Sequence, residues 1–431
     1  MIRITSALVM MITATAISLG FAEGSEGVVL RFIRAYGQDN ERFPPVILLS
    51  PKSGSHMPGW EYATVEFDIQ SSTIPNTYVK LVHCNADWTE DSNGFLNDAM
   101  NRSSLADWSV APLRSTYYSY RGTVTIPNPQ LQLRFAGNWK VVVYDMDSDV
   151  PLGETRIFVV DPQAQAEINF MTDFYEPSHK VSSIALTLEA VVRADHSQVI
   201  DPNVHTTVFY RNHRWYEPFI CSTKRFDTKY PYHVATHVVG VFPGGKAFRI
   251  GPLPAENEHR ILDLTNLAQY PSTGQPVRMP LSDLPRNGMF IERSNDGALV
   301  TTTVSQSDDE YVPVEILLDP SPGPPSTSDV FLAGSFNNWK PDKNWQMYYD
   351  EQFNLYRLRQ WFRRGVHDYL YATGTLNIDT DEVTNCSFEE FEGNTASNSN
   401  SFVAFTYARM MDYGGYDAII AVTSSNIYQN R

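Results

Sequence analysis

Apolar and polar positions alternate with a period of two along much of the chain; the cleanest case sets Val65, Phe67 and Ile69 against Thr64, Glu66 and Asp68. Successive side chains of a strand point to opposite faces, so this pattern predicts a half-buried strand. The alternation returns at Ile184, Leu186, Leu188, Ala190 and Val192, with Ser183, Thr187 and Glu189 on the other side. Runs rich in β-branched and aromatic residues cover 78–83, 117–126, 139–144, 156–160, 205–210, 330–333 and 402–407. No segment carries a helical stripe for more than about three turns, and 97–108 is the one place where a short helix is expected. Strands of this length broken by turn residues predict an all-β chain of tandem immunoglobulin-like antiparallel β-sandwiches.

The breakers suggest where one unit ends and the next begins. Pro320, Ser321, Pro322, Gly323, Pro324, Pro325 and Ser326 cannot continue a ladder and read as a stiff linker at 320–326. Asp161, Pro162 and Gln163 close another strand. The expected units are therefore a first sandwich at 23–162, a middle β domain at 163–319 and a C-terminal sandwich at 327–431. Pro271, Pro276, Pro280 and Pro285 predict a long loop within the middle one.

Ahead of these, Arg3, an apolar run from Leu8 to Leu19, and small residues at Gly20 and Ala22 read as a signal peptide at 1–22, cleaved before Glu23. Export would bring Cys84, Cys221 and Cys386 into an oxidising compartment, yet their odd number and wide spacing favour three small buried hydrophobes over a disulfide framework or a zinc site. A chain of 431 residues has room for about three domains. With 42% hydrophobic and 13% aromatic residues it is folded rather than disordered. The excess of 49 acidic over 33 basic residues, without a basic cluster, argues against a nucleic-acid partner.

Candidate chemistry is sparse. Gly240 to Lys246 has the spacing of a phosphate-cradling loop, but Ala247 stands where a hydroxyl should bind magnesium, so a hairpin turn through Pro243, Gly244 and Gly245 is the better reading. On a strand His233 and His237 would lie roughly 13 Å apart at about 3.3 Å per residue, too far to share one ion. Asp145, Asp147 and Asp149 lack the glycine and the closing glutamate of a calcium loop and read as a hairpin. No nucleophile elbow or other catalytic signature is present in the sequence, so no catalytic residue, metal ligand or cofactor site is assigned. Trp88, Trp108, Tyr117, Tyr118 and Trp215 are candidates for core packing or for partner contact.

Gly334 to Trp339, followed by Met347 to Tyr349 and Tyr356 to Tyr371, resembles the early-set, glycogen-binding-module-like β-sandwich. That resemblance implies glycan stacking on Trp339 with Asn338 bonding sugar hydroxyls, although the loop at Thr373 to Leu376 lacks the second aromatic such modules use. A wider ordered string comprises His83 to Trp88, Ile126 to Asn128, Ala136 to Tyr144, Arg156 to Val160, Asn212 to Trp215, Phe248 and Arg249, Asp296 and Gly297, Tyr311, Gly334 to Trp339, Tyr369 and Tyr371, Glu392 to Asn394, and Phe402 to Arg409. This succession resembles the plug protein family of the Type IX secretion system. The resemblance implies a non-catalytic periplasmic protein, peripheral to the outer membrane, that binds the large outer-membrane translocon barrel and occludes its periplasmic opening. It implies no cofactor, no membrane insertion and no small-molecule substrate. Residue patterns alone leave an extracytoplasmic carbohydrate-binding protein as the alternative.

Overall fold

The computed structural model describes residues 27–49, 60–176, 182–194, 203–226, 229–241, 244–286, 288, 290, 296–304, 307, 309–395 and 398–427. Residues 1–22, read as a signal peptide, and the cleavage point expected before Glu23 lie outside these residues, as does Pro243. Strand accounts for 53% of the protein and helix for 3%, which makes it an all-β chain of antiparallel sandwiches. The single α-helix among the described residues is one turn, Glu389–Glu392. The helix expected over 97–108 does not form. Asn93 and Asp98 accept hydrogen bonds from the backbone two residues on, at 3.0 and 2.8 Å, and so commit the chain to turns, as short polar side chains do. Two short strands, Arg102–Ser103 and Asp107–Val110, follow.

The first sandwich packs a four-stranded sheet, in the order Val29–Gly37, Ala63–Gln70, Tyr120–Ile126 and Asp107–Val110, against Val150–Val160, Gly137–Asp145 and Thr77–Cys84. Val65, Phe67 and Ile69 meet Val79, Leu81, Val141, Val143, Ile157 and Val159 between the layers. This is the inward face that the alternation predicts. Asp145, Asp147 and Asp149 sit at the hairpin between Gly137–Asp145 and Val150–Val160, where the Asp149 amide donates to the Asp145 carbonyl at 2.9 Å.

The second sheet of this unit does not stop there. Ile419 pairs in parallel with Val160, which joins it to Tyr416–Ile427, Asn400–Met410, Val204–Arg211 and Phe219–Ser222 in one nine-stranded sheet. Those last four strands pack against Ala164–Phe174, Ile184–Ala194, Gly245–Pro254 and Ala235–Val241 to make the second sandwich. The strands at 400–427, expected in the C-terminal sandwich, thus complete the middle one. Phe402 and Ala404 point into that core beside Leu188 and Phe209, while Phe405 and Tyr407 point to the opposite face. Both faces of this strand are apolar, which suits an interior position and gave the sequence no hint of which sheet it joins.

A third unit folds one eight-stranded sheet on itself through Gln346–Asp350, whose first residues pair with Asp329–Gly334 and whose last pair with Leu355–Arg363. Tyr311–Leu318 and Arg260–Asp263, expected in the middle domain, are ladder strands of this unit. The Pro-rich stretch 320–326 therefore connects two strands of the same sandwich, Tyr311–Leu318 and Asp329–Gly334, instead of linking two domains. Proline interrupts a ladder equally well at a domain boundary and at a crossover, so composition does not separate the two. The three cysteines form no disulfide; Cys84 and Cys221 are buried and Cys386 is half-buried.

Phe158 ties the shared sheet together. Its fully buried ring stacks on Phe405 at 4.1 Å and meets Trp88, Tyr210 and Trp215 at 5.3 to 5.4 Å. Phe158→Ala is expected to lower stability by about 3–5 kcal/mol. The check is a denaturant titration, and a loss under about 1 kcal/mol would show that the two sandwiches do not depend on this contact.

Candidate protein interface

The polar face of Ala63–Gln70 is not wet. Glu66 is 8% exposed and Asp68 is fully buried, because the third sandwich lies against the outer face of the first sheet. A half-buried strand was expected here, and the difference arises from a covering unit whose contacting residues, Tyr311 and Arg363, lie 243 and 297 positions from the carboxylates they meet. Arg121, opposite Asp68 on the neighbouring strand, bonds it at 2.6 Å, and Tyr311 of the third unit donates to the same carboxylate at 2.6 Å. Arg34 pairs with Glu66 at 3.1 Å and Glu41 at 2.9 Å, while Arg363 of the third unit bonds Glu66. Burial alone would raise the Glu66 carboxyl, but the guanidiniums of Arg34 and Arg363, with that of Arg121, outweigh it and hold the group at about 2. Beside this network an apolar patch of Phe32, Tyr118, Leu299 and Tyr311 seals the junction.

A second junction joins the second and third units around Arg214. This side chain pairs with Glu217 at 3.1 Å and Glu256 at 2.5 Å, with its guanidinium 4.9 Å from the centre of the Trp339 ring. Trp339 is 2% exposed, donates its indole N–H to the Gly297 carbonyl at 2.8 Å, and lies 4.5 Å from the His259 ring. Gly297 sits at φ +79°, and a Cβ there would fall 2.0 Å from the Asn212 carbonyl, so only glycine fits the approach. Asn338 donates to the Ile33 carbonyl of the first unit at 3.0 Å. The two residues expected to touch a glycan are therefore committed to inter-unit packing, since a buried indole offers no face to a sugar.

The other sequence candidates divide similarly. Trp88 is buried, with its indole N–H donating to the Tyr210 hydroxyl at 2.7 Å and Arg156 lying 4.3 Å over the ring. Tyr118 is buried and donates to Glu310 at 2.8 Å; half-buried Tyr117 stacks on Trp361 at 5.2 Å. Trp108 meets Phe67 edge-on at 5.6 Å, and Trp215 stacks on His213 at 5.2 Å. All five aromatics face other parts of the same chain. His237 lies exposed on an outer strand, with His233 exposed just before it, and among the described residues no three His, Cys, Asp or Glu groups could hold a metal ion.

The open concave surface lies elsewhere, in a cleft of about 880 Å³ on the first sandwich. Phe95, Met100 and Met146 line it at 73%, 74% and 40% exposure, with Arg102 and Arg134 beside them. Phe135 in its wall touches Tyr413, itself 56% exposed, so the apolar surface extends past the rim. Aromatic and methionine side chains flanked by arginine have the composition of protein-contacting surfaces, which makes this cleft, otherwise lined by polar residues such as Asp98, Asn101, Gln130 and Gln132, a candidate partner site. Motif and periodicity did not single out these residues. The available signal was three large apolar side chains in otherwise polar connections.

Residues 32–161 match the family described as Type 9 secretion system plug protein 1st domain. A hypothetical protein from Parabacteroides merdae, solved by crystallography, is similar in fold, with a TM-score of 0.70 at 18% identity over 94% of this chain and 99% of that one. Three N-terminal domains of the bacteriophage RB49 outer capsid protein Hoc align over 92% of this chain and 97% of theirs at 12% identity, but a TM-score of 0.15 carries no weight. No curated protein matches the chain. Every residue lining the cleft falls between 78 and 149, inside the matched region.

The pH dependence of the first junction follows from Glu66. Its folded value of about 2 lies below its ordinary 4.5, so the stability it contributes is present above about pH 4.5 and is lost as pH falls toward 2. Glu66→Gln, which removes the ion-pair partner of Arg363 and leaves Arg34 with Glu41 alone, is expected to cost about 3–5 kcal/mol at neutral pH and to flatten that acid slope. Unfolding midpoints measured from pH 7 to pH 2 check both, and a variant as acid-sensitive as the parent would remove Glu66 from the account.

Proposed function

From the plug protein first domain matched by residues 32–161, we infer a non-catalytic protein of the Type IX secretion system that seats against the large outer-membrane translocon barrel and occludes its periplasmic opening. The family match supports a secretion-associated role in the cell envelope. What supports the finer reading is the position of the cleft: the large open concave surface, lined by Phe95, Met100 and Met146, belongs wholly to the matched domain. The occupant it suits is an apolar segment of the barrel's periplasmic rim, with Arg102 and Arg134 placed to meet carboxylates at its edge. Occlusion needs a body that keeps its shape, and the two charged junctions hold three sandwiches as one piece. With Trp339 enclosed, no observation favours the carbohydrate-binding alternative.

The test is recovery of partners from detergent-solubilised envelopes of the native host. The parent chain is expected to bring down a very large outer-membrane barrel protein in stoichiometric amount. Phe95→Asp combined with Met100→Asp should cut that recovery at least tenfold while leaving the thermal midpoint unchanged, since both side chains are solvent-exposed. No barrel under crosslinking with the parent chain would sink the reading, and full recovery with the double variant would move the contact away from the cleft.

A further inference from the structure

Between the second and third sandwiches lies a separate cavity of about 340 Å³. Phe219, Tyr230 and Tyr232 wall it from one unit and Phe388 from the other. Tyr230 and Tyr232 are nearly parallel with centroids 6.2 Å apart, and Phe219 lies 6.1 Å from Tyr230 at a similarly shallow angle. Aromatic faces carry negative potential and attract cations, most strongly where water is excluded.

Glu217 lines the same cavity and is short of positive charge. Arg214 Nη1 donates to one of its oxygens at 3.1 Å, and no described residue donates to the other. Glu256, by contrast, takes Arg211 at 2.8 Å and Arg214 at 2.5 Å. The protonation behaviour of the two carboxylates follows this inequality. Burial raises Glu217 above the ordinary carboxyl range despite Arg214; burial acts on Glu256 as well, but two arginines hold it at about 2. Lys229, the remaining cation of the lining, is exposed and makes no ion pair with any described carboxylate. Arg211 and Arg214 are already paired with Glu256 and lie over Phe219 at 5.5 Å and Phe388 at 5.0 Å, and Glu389, also in the lining, has a partner of its own.

We propose that this cavity is a binding site for a cationic side chain presented on a polypeptide, arginine in particular. A guanidinium offers a flat face to the tyrosines and a planar fork of N–H donors to the open oxygen of Glu217, whereas an ammonium is a more strongly hydrated point charge that loses more on entering. The volume lies within the range of small-ligand pockets and admits one side chain rather than a folded element. The proposal is independent of the translocon reading, because the cavity and the first-domain cleft share no residue.

Calorimetric titration of the full chain with acetyl-arginine N-methylamide, and with the same compound carrying uncharged citrulline, tests it. Saturable binding at least tenfold tighter for arginine is expected, weakened at least fivefold by Glu217→Gln and not weakened by Lys229→Ala. Tyr232→Leu, at a half-buried position, supplies a second variant that should abolish the preference for arginine over citrulline. Equal affinity for the two compounds, absence of saturation, or a Glu217→Gln protein that binds like the parent overturns the site. Tighter binding of agmatine, a guanidinium without peptide groups, overturns the polypeptide source and assigns the cavity to a free amine.

Discussion

The arrangement of this protein depends on two carboxylates, Glu66 and Asp68, buried on the outer face of a strand whose inner face is already core. A charge removed from water is strongly destabilising unless it is paired and hydrogen-bonded, so each must find partners on that outer face. Arg121 meets Asp68 from the neighbouring strand, but Tyr311 and Arg363 come from a unit encoded 243 and 297 positions later. The third sandwich is thereby fixed in position and orientation, because a shifted unit would leave Glu66 beside Arg34 with one partner fewer. The Arg214 cluster imposes the same condition on the second unit, where Trp339 and Gly297 fill the space between. Three sandwiches that would otherwise hinge on their connections behave as one body.

Much of the fold was legible in the chain, because each sandwich repeats the period-two signal that Val65, Phe67 and Ile69 display. What was not legible was membership. Residues 402–407 read correctly as part of a strand, observed as Asn400–Met410, yet nothing in their pattern distinguished an edge of the third unit from the centre of the second. The Pro-rich stretch 320–326 read correctly as a break, and a break inside a sandwich has the composition of a break between two. Both errors treat sequence neighbours as spatial neighbours, which β architectures with long-range ladders violate. The site readings failed for a related reason. Trp339 looked like a stacking platform because its motif specifies a corner of the sheet, while its exposure is decided by Arg214, His259 and Gly297 of other segments.

The polarity of the junctions also bears on assembly. An apolar outer face on Ala63–Gln70 would bind the third sandwich as firmly, but the first sandwich is made long before residues 311–363 exist to cover it. An uncovered apolar sheet face invites pairing with other chains, whereas Glu66, Asp68, Arg34 and Arg121 keep the waiting surface hydrated. The residues that lock the finished body are therefore the ones that make this sheet face polar before it is covered. The opposite logic governs the cleft. Phe95 and Met100 stay exposed after every unit has docked, and burying them against a partner requires no further ordering of a body already rigid. The junctions are thus closed by paired charge, while the cleft keeps Phe95 and Met100 among the apolar side chains that no other unit covers.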